Sequence, residues 1–411
     1  VRWPNLNKKV SDKPGTVHSQ LFKDYSLGVS TNRDAWCFNF SKKDLSANII
    51  RTIDFYNNCL SKYLLNDLPN DLHNISWSRG LKNSFSKSQS LQFNQHAFRK
   101  SLYRPFIKTN LYFDKYLNEM QLKMPYFFPP KQDNKVIIVS GLGARSGFSC
   151  LISDSTFSLD TIEKGQSFPL YLYEEITQEK SVGSGDLFDE SLDLTVRETK
   201  YERKDGISDE GLQHFQTAYP SEKITKEDIF YYTYGLLHSE EYRERYADNL
   251  TKELPRIPCV KKAEDFWAFS KAGRDLAHWH LNYETIEQYK ATLDTGSTPY
   301  SQLTAEDFYV EKMKFAKKGE KGAVVDGECI TVKDIPLEAY DYVVNGKPAL
   351  EWVMERQGVS VHKDSGIVND ANDWAIETMG NPAYPLELFL RVITVSLETM
   401  KIVKSLPKLD I

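Results

Sequence analysis

The chain has 411 residues and a formal net charge of −5, and 40% of its residues are hydrophobic, 27% charged and 13% aromatic. This composition excludes a disordered or fibrous protein and indicates about two to four domains, or one large domain with lobes. The five cysteines are far apart in sequence and form no Cys-x-x-Cys pair. Their spacing argues against a disulfide framework and against a zinc knuckle.

The sequence predicts no membrane span, because a span needs about 20 apolar residues. The richest apolar stretch, residues 386–403, is interrupted by Glu387, Arg391 and Glu398. The N-terminus has no signal peptide, and the unpaired cysteines suit a reducing compartment, so we expect a soluble cytoplasmic protein. Because the chain begins at Val1 without an initiator methionine, we also expect it to be a piece of a longer polypeptide.

The first 130 residues are polar, rich in Asn and Ser, and interleaved with aromatic side chains. Their apolar spacing predicts a helix around residues 45–53 and a second helix over residues 111–122. Further along, an apolar run at 136–139 and a second run at 167–173 lie among glycine-rich turns and predict strands. The acidic stretch over residues 174–210 is interpreted as a solvated surface segment.

After residue 220 the apolar period becomes that of helices. Thr225 and Asp228 form a capping box before one predicted helix, and Ser239 opens another. A third helix is predicted over about residues 263–281, and a final one over residues 386–403.

Asp326-Gly327 and Asn345-Gly346 lie between β-rich runs and predict two hairpins. The whole pattern predicts a mixed α/β (α+β) fold in three regions. These are a basic, aromatic-rich region (1–130), a β-rich core (131–220) and an α-rich lobe with β-hairpins (221–411).

The net charge conceals a split along the chain, since residues 1–150 carry +12 and residues 151–411 carry −17. No acidic residue lies between Asp71 and Asp114. Basic side chains neutralise phosphates, arginine reads guanine edges and aromatic rings stack or wedge, so this segment predicts a nucleic-acid contact. The alternative is a basic solvated face or an interface with an acidic neighbouring domain. The basic residues of the segment are Arg79, Lys82, Lys87, Arg99, Lys100, Arg104 and Lys108.

Two motifs resemble cofactor or substrate sites but lack the context that such sites need. The glycine-rich turn at residues 141–147 is followed by a predicted strand, not by the helix that would hold a phosphate. We therefore predict a hairpin loop that exposes Arg145. Asn381-Pro382-Ala383-Tyr384 differs by one residue from the Asn-Pro-Pro-Tyr/Phe motif of adenine-N6 methyltransferases, yet it precedes a long helix and is interpreted as a helix entry.

Two further groups are interpreted as structural. Asp193, Glu198 and Lys200 have the Asp-x4-Glu-x-Lys spacing of metal-dependent nucleases, but positions i and i+5 of one strand point to opposite faces. A charged surface strand is the better interpretation. His278 and His280 diverge by about 200° on a predicted helix, so they cannot bind one metal and are predicted to be core and surface histidines.

Several strings that span nearly the whole chain are specific in combination, although none is specific alone. They are Thr31-Asn32-Arg33-Asp34-Ala35-Trp36 with Asn39-Phe40-Ser41, Tyr103-Arg104-Pro105-Phe106 with Leu111-Tyr112-Phe113, Gln166-Ser167-Phe168-Pro169-Leu170-Tyr171, Asp228-Ile229-Phe230-Tyr231-Tyr232 with Leu237-His238-Ser239, Tyr242-Arg243-Glu244-Arg245-Tyr246, and Pro255-Arg256-Ile257-Pro258. Together they resemble the C-terminal target-recognition (specificity) region of type ISP restriction-modification enzymes. Those enzymes are single polypeptides with nuclease, helicase-like motor, methyltransferase and recognition domains in that order.

The resemblance implies a bacterial cytoplasmic protein whose recognition region clasps duplex DNA against the methyltransferase domain of the same polypeptide and presents an adenine for N6 methylation. The parent enzyme would use S-adenosylmethionine, ATP and Mg²⁺. The chain itself has no Asn-Pro-Pro-Tyr motif, S-adenosylmethionine loop, Walker motif or credible nuclease triad. We therefore expect no catalytic residue, cofactor or metal in it.

We predict a monomeric module that recognises double-stranded DNA sequence-specifically without catalysing a reaction. Region 1–130 would face the DNA, and region 131–220 would be the recognition core. Lysines are compact charges suited to phosphates, whereas the planar fork of arginine matches guanine. The alternative is a protein-interaction domain that docks onto the methyltransferase or motor through its basic face. The predicted DNA contacts are Arg79, Lys82, Lys87, Lys100, Arg104, Lys108 and Arg145.

Overall fold

A computed structural model describes residues 3–7, 20–176, 200–327 and 329–411. The helices α1 to α12 are Asp34–Cys37, Lys42–Leu60, Arg79–Ser86, Met124–Phe127, Asp209–Ala218, Lys226–Leu237, Glu240–Arg245, Ala247–Leu250, Ala263–Leu281, Ala349–Arg356, Ala371–Glu377 and Tyr384–Lys404. The strands β1 to β17 are Ser26–Leu27, Phe38–Asn39, Phe98–Arg104, Ile107–Tyr112, Val136–Val139, Cys150–Ser153, Gln166–Pro169, Tyr171–Ile176, Lys200–Asp205, Thr292–Asp294, Lys314–Lys317, Glu320–Asp326, Ile330–Lys333, Val343–Val344, Lys347–Pro348, Val359–Val361 and Val368–Asp370.

The strands form antiparallel sheets whose order differs from their order in the chain. One four-stranded sheet has the order β1-β7-β5-β6, and a three-stranded sheet has the order β2-β4-β3. A second four-stranded sheet, β10-β13-β12-β11, lies in the C-terminal part, and β8 pairs with β9 in a two-stranded ribbon. Helices and antiparallel sheets together confirm the predicted mixed α/β class.

Most of the predicted elements are confirmed. The capping box of Thr225 and Asp228 is formed at the start of α6, Ser239 caps α7, and the predicted helix at 263–281 is α9. The hairpin at Asn345-Gly346 is also present, with positive φ at both residues. Among the helices of the described residues, none combines the length with the apolar composition of a membrane span.

The helix predicted over residues 111–122 is wrong. Leu111 pairs with Phe38 and with Arg99 in neighbouring strands, and the chain after Tyr112 follows turns to the short helix α4. The apolar residues whose spacing matched that of a helix therefore belong to a strand end and to turns. In the acidic stretch, the described strand β9 is mostly exposed, as a solvated segment requires.

Two hydrophobic cores hold the described residues together, and each draws on distant parts of the sequence. The first combines residues 29–162 with residues 283–395, including α2, α3 and α12. The second packs β5, β6 and β7 against α6 and α9. The division into regions 1–130, 131–220 and 221–411 stays a prediction.

Helices α6 and α9 cross at two glycines. A Cβ added at Gly273 would overlap the carbonyl oxygen of Tyr231, and one added at Gly235 would overlap the carbonyl oxygen of Phe269. The two backbones therefore touch directly, which larger residues would prevent.

The far end of α9 is fixed by buried polar contacts. Nδ1 of His280 lies 2.6 Å from the hydroxyl of Tyr234 on α6, and its Nε2 lies 2.9 Å from the hydroxyl of Thr399 on α12. Burial lowers the pKa of His280 to about 3, so the imidazole is neutral in the folded protein. His280 thus links three helices as an uncharged hydrogen-bonding group.

Replacing Gly273 with alanine should destabilise the protein. A helical Gly→Ala change normally gains up to about 1 kcal/mol, but here the added methyl group would push α6 and α9 apart and cost about 1–3 kcal/mol net. Urea denaturation measures the difference. Gly322→Ala is the control, because a Cβ there meets no atom within 4 Å. An unchanged stability for Gly273→Ala would contradict the described helix crossing.

Candidate nucleic-acid interface

Helix α3 presents a basic face to solvent because its apolar side chains point inward. Leu81 and Phe85 are buried, and the ring of Phe85 contacts those of Tyr56 and Trp77 at centroid distances of 5.9 and 5.7 Å. The hydroxyl of Ser78 caps the helix by accepting a hydrogen bond from the backbone of Leu81. The opposite face then exposes the residues Arg79, Lys82, Asn83, Ser86 and Lys87.

The chain that follows α3 continues this surface with neutral polar groups. Residues 86–90 and 92–96 are all exposed and include four amide side chains and His96. No carboxylate occurs anywhere in residues 72–113. The surface therefore exposes cations, amides and hydroxyls, the groups with which proteins contact phosphates and base edges, together with Phe93 and His96.

Glu119 holds Arg79 at the start of α3. Its Oε1 lies 3.3 Å from Nε of Arg79, and its Oε2 accepts the backbone N–H of Gly80 at 2.9 Å. Burial opposes ionisation of Glu119, but hydrogen bonds from Ser78 and Gly80 and the charge of Arg79 outweigh it and lower the pKa of this carboxyl. The side chain of Arg79 is still 80% exposed, so its terminal nitrogens remain accessible.

Arg145 is held in the same way at a second place. The predicted hairpin loop is present between β5 and β6, and the Arg145 side chain is 94% exposed. Oε1 of Glu163 lies 3.3 Å from Nε of Arg145, while Oε2 accepts the backbone N–H groups of Arg145 and Ser146 at 2.8 and 3.0 Å. Those backbone hydrogen bonds lower the pKa of Glu163. In both places a carboxylate orients an arginine without covering its end.

Arg104 and Lys108 have partners inside the protein. Arg104 is 12% exposed on its side chain, stacks over the ring of Tyr103 at 4.0 Å and pairs with Asp34 at 3.7 Å. Lys108 pairs with Glu284 at 2.8 Å; burial disfavours its charge, but Glu284 outweighs burial and raises its pKa. Residues 72–113 contain no acidic residue, but the fold places the carboxylates of Asp34 and Glu284 beside this segment.

The remaining predicted contact, Lys100, lies exposed on β3 with its ammonium 5.6 Å from the ring centre of Trp374. The structure thus places Arg79, Lys82 and Lys87 together on and beside α3, with Lys100 and Arg145 on other elements. Nothing in the sequence indicated Glu119 and Glu163, because a carboxylate far along the chain has no local pattern that reveals its partner.

Asn381 and the two histidines lie in the positions predicted for them, a helix entry, a surface site and a core site. Asn381 precedes α12, where its side chain accepts the backbone N–H of Ala383 at 3.0 Å. His278 is exposed and His280 buried, and the described residues contain no group of His, Cys, Asp and Glu that could hold a metal ion. Asp193 and Glu198 lie outside the described residues.

Comparison with known proteins identifies structures of similar architecture. The ATP-dependent Type ISP restriction-modification enzyme LlaBIII bound to DNA matches with a TM-score of 0.82 and 32% identity, over 100% of this chain and 24% of that one. A nuclease-deletion mutant of the Type ISP enzyme LlaGI in complex with a DNA substrate mimic gives 0.79 and 33%, over 100% and 29%. The DrdV–DNA complex gives 0.77 and 32%, over 96% and 36%.

The chain therefore spans about a quarter to just over a third of these proteins. A curated protein, one component of the aspartyl/glutamyl-tRNA(Asn/Gln) amidotransferase of Corynebacterium glutamicum (strain R), is 24% identical over 195 residues, which are 42% of this chain and 37% of that protein. The family profile of the Type ISP C-terminal specificity domain matches residues 20–388. The chain belongs to the Type ISP C-terminal specificity domain family.

Proposed function

We propose that this chain recognises double-stranded DNA sequence-specifically, as the target-recognition module of a Type ISP restriction-modification enzyme. The observation that carries the proposal is the exposed face of α3, which combines the side chains of Arg79, Lys82 and Lys87 with amide groups, while Glu119, the carboxylate that contacts Arg79, is only 4% exposed. Three similar structures of known proteins are DNA complexes, which supports the same ligand here.

The cations divide into two classes by their chemistry. Lys82, Lys87 and Lys100 are exposed point charges that suit phosphates, and phosphate contacts fix position without reading sequence. Arg79 and Arg145 have guanidinium groups oriented through Nε, and their free ends match O6 and N7 of guanine. Because the carboxylates restrain these side chains at Nε before DNA binds, less conformational entropy is lost on binding.

The chemistry of modification and cleavage would belong to the rest of the polypeptide. The module would place an adenine for an N6-adenine methyltransferase domain of the same chain, which needs S-adenosylmethionine, while ATP and Mg²⁺ serve the motor and nuclease. We expect the chain itself to act as a monomer without catalysis, with region 1–130 facing the DNA. Arg104 and Lys108, with their internal partners, would act mainly by stabilising this region.

A protein-docking role is the second candidate, and one surface favours it. An apolar groove of about 420 Å³ lies between α11 and the segment before β11. Tyr309 and Ile376, which line it, are 48% and 55% exposed. Contact with another domain would cover such side chains. This groove differs from the face of α3, so docking there is compatible with DNA binding.

Removing Lys82 and Lys87 together should weaken binding to any duplex. The slope of log K against log salt is negative, and each lost phosphate contact reduces its magnitude by about 0.9. The double alanine variant should therefore have a slope that is smaller in magnitude by about 1.8 than that of the wild type. Fluorescence anisotropy over a salt series measures the slope. Lys314→Ala with Lys318→Ala is the matched control, since both lysines are exposed in the β11–β12 hairpin. An equal slope for the two double variants would contradict a DNA contact at α3.

Arg79→Lys and Arg145→Lys should reduce specificity more than affinity for random DNA. Lysine keeps the charge but loses the fork, so each change should cost about 1–3 kcal/mol on the preferred site and little on random duplex. The preferred site comes from selection of this chain on a random duplex library, and competition binding gives the ratio. Unchanged specificity ratios in both variants would remove these arginines from the reading surface.

A further inference from the structure

An apolar knuckle, formed by Met120, Leu122 and Tyr126, lies at the surface directly after Glu119. The three side chains are 37%, 47% and 55% exposed. Single exposed apolar side chains are common in proteins and need no explanation. Three of them within one turn and the short helix after it indicate a surface that contacts another molecule.

The backbone at Leu122 does not suit leucine. Its φ is +49°, and the turn is closed by a hydrogen bond from the N–H of Met124 to the carbonyl of Gln121 at 3.1 Å. Turns with positive φ at this position favour Gly, Asn or Asp, because a larger side chain conflicts with its own backbone. Neither the backbone conformation nor burial accounts for a leucine at this position. We therefore attribute it to a contact that its exposed side chain makes with another molecule.

The knuckle is held firmly from both sides. The N–H and carbonyl of Met120 each bond to the backbone of Ser30 at 2.9 Å, and the N–H of Lys123 donates to the hydroxyl of Ser26 at 3.2 Å. Glu119, the residue before Met120, holds Arg79 and the first turn of α3. The knuckle is therefore a preformed element that directly follows the glutamate in contact with Arg79.

We propose that Leu122 inserts between stacked bases of the duplex that α3 contacts, so that the chain distorts its DNA as well as reading it. Proteins kink duplexes by wedging Leu, Met or Phe between base pairs next to cationic side chains that hold the backbone. The exposed cations of α3, Arg79, Lys82 and Lys87, favour DNA over a protein surface as its target. The inference rests on the proposed function.

The experiment uses the full chain and a duplex selected from a random pool. One adenine at a time is replaced with 2-aminopurine, whose fluorescence rises when its neighbours unstack, and dyes at the duplex ends report bending by energy transfer. The wild-type chain should raise the fluorescence at one step and shorten the end-to-end distance. Leu122→Ala should lose both signals and bind about tenfold more weakly, while Leu122→Met should retain them.

Two controls separate a wedge from a structural role. Leu337→Ala removes a leucine that is 63% exposed elsewhere and should change neither signal. Leu122→Gly relieves the positive φ, so its melting temperature should equal or exceed that of the wild type while the unstacking signal is lost. A lower melting temperature for Leu122→Gly would assign the leucine to the fold and overturn the proposal.

The other outcomes are also decisive. If the wild type binds duplex but Leu122→Ala unstacks and bends it equally, the wedge is wrong and the proposed function stands. If Leu122→Ala instead loses only binding to the methyltransferase part of a Type ISP enzyme, the knuckle is a protein contact and the wedge is wrong. If the wild type binds no duplex at all, the proposed function fails and the wedge fails with it.

Discussion

The close crossing of α6 and α9 is the contact on which the arrangement of the other elements depends. Gly235 and Gly273 let the two helix backbones touch, and buried polar contacts hold the far end of α9. At that end His280 bonds to α12, and Glu284 bonds to Lys108 on β4 and to Tyr384 on α12. Strand β4 is the centre of the sheet β2-β4-β3, so the polar contacts at the end of α9 connect the second core to a sheet of the first.

Charge along the sequence and charge in space are different quantities in this protein. The segment between Asp71 and Asp114 has no acid, yet Arg104, Lys108 and Arg79 each lie within 4 Å of a carboxylate from elsewhere in the chain. Two of these pairs are largely enclosed, while Arg79 keeps its free end in solvent. Exposure therefore decides which cations of this segment are accessible to a ligand, and exposure depends on packing.

Local patterns were enough to predict much of the fold. The capping box at Thr225, the helix around Gly273 and the Asn345-Gly346 hairpin are determined by neighbouring residues, and all three are present. The helix predicted at 111–122 failed because pairing with β2 and β3, which is not local, overrides the apolar spacing. The contacts of Glu119 with Arg79 and of Glu163 with Arg145 were not predicted for the same reason, since only the tertiary fold brings each glutamate near its arginine.

Whether the face of α3 meets the phosphates of a duplex can be tested directly by lysine footprinting. The full chain is labelled with an amine-reactive reagent with and without saturating duplex, and each lysine is quantified by mass spectrometry. We expect duplex to protect Lys82 and Lys87, whereas Lys314 and Lys318 should react equally in both conditions. Equal labelling of Lys82 and Lys87 with and without bound duplex would contradict this contact.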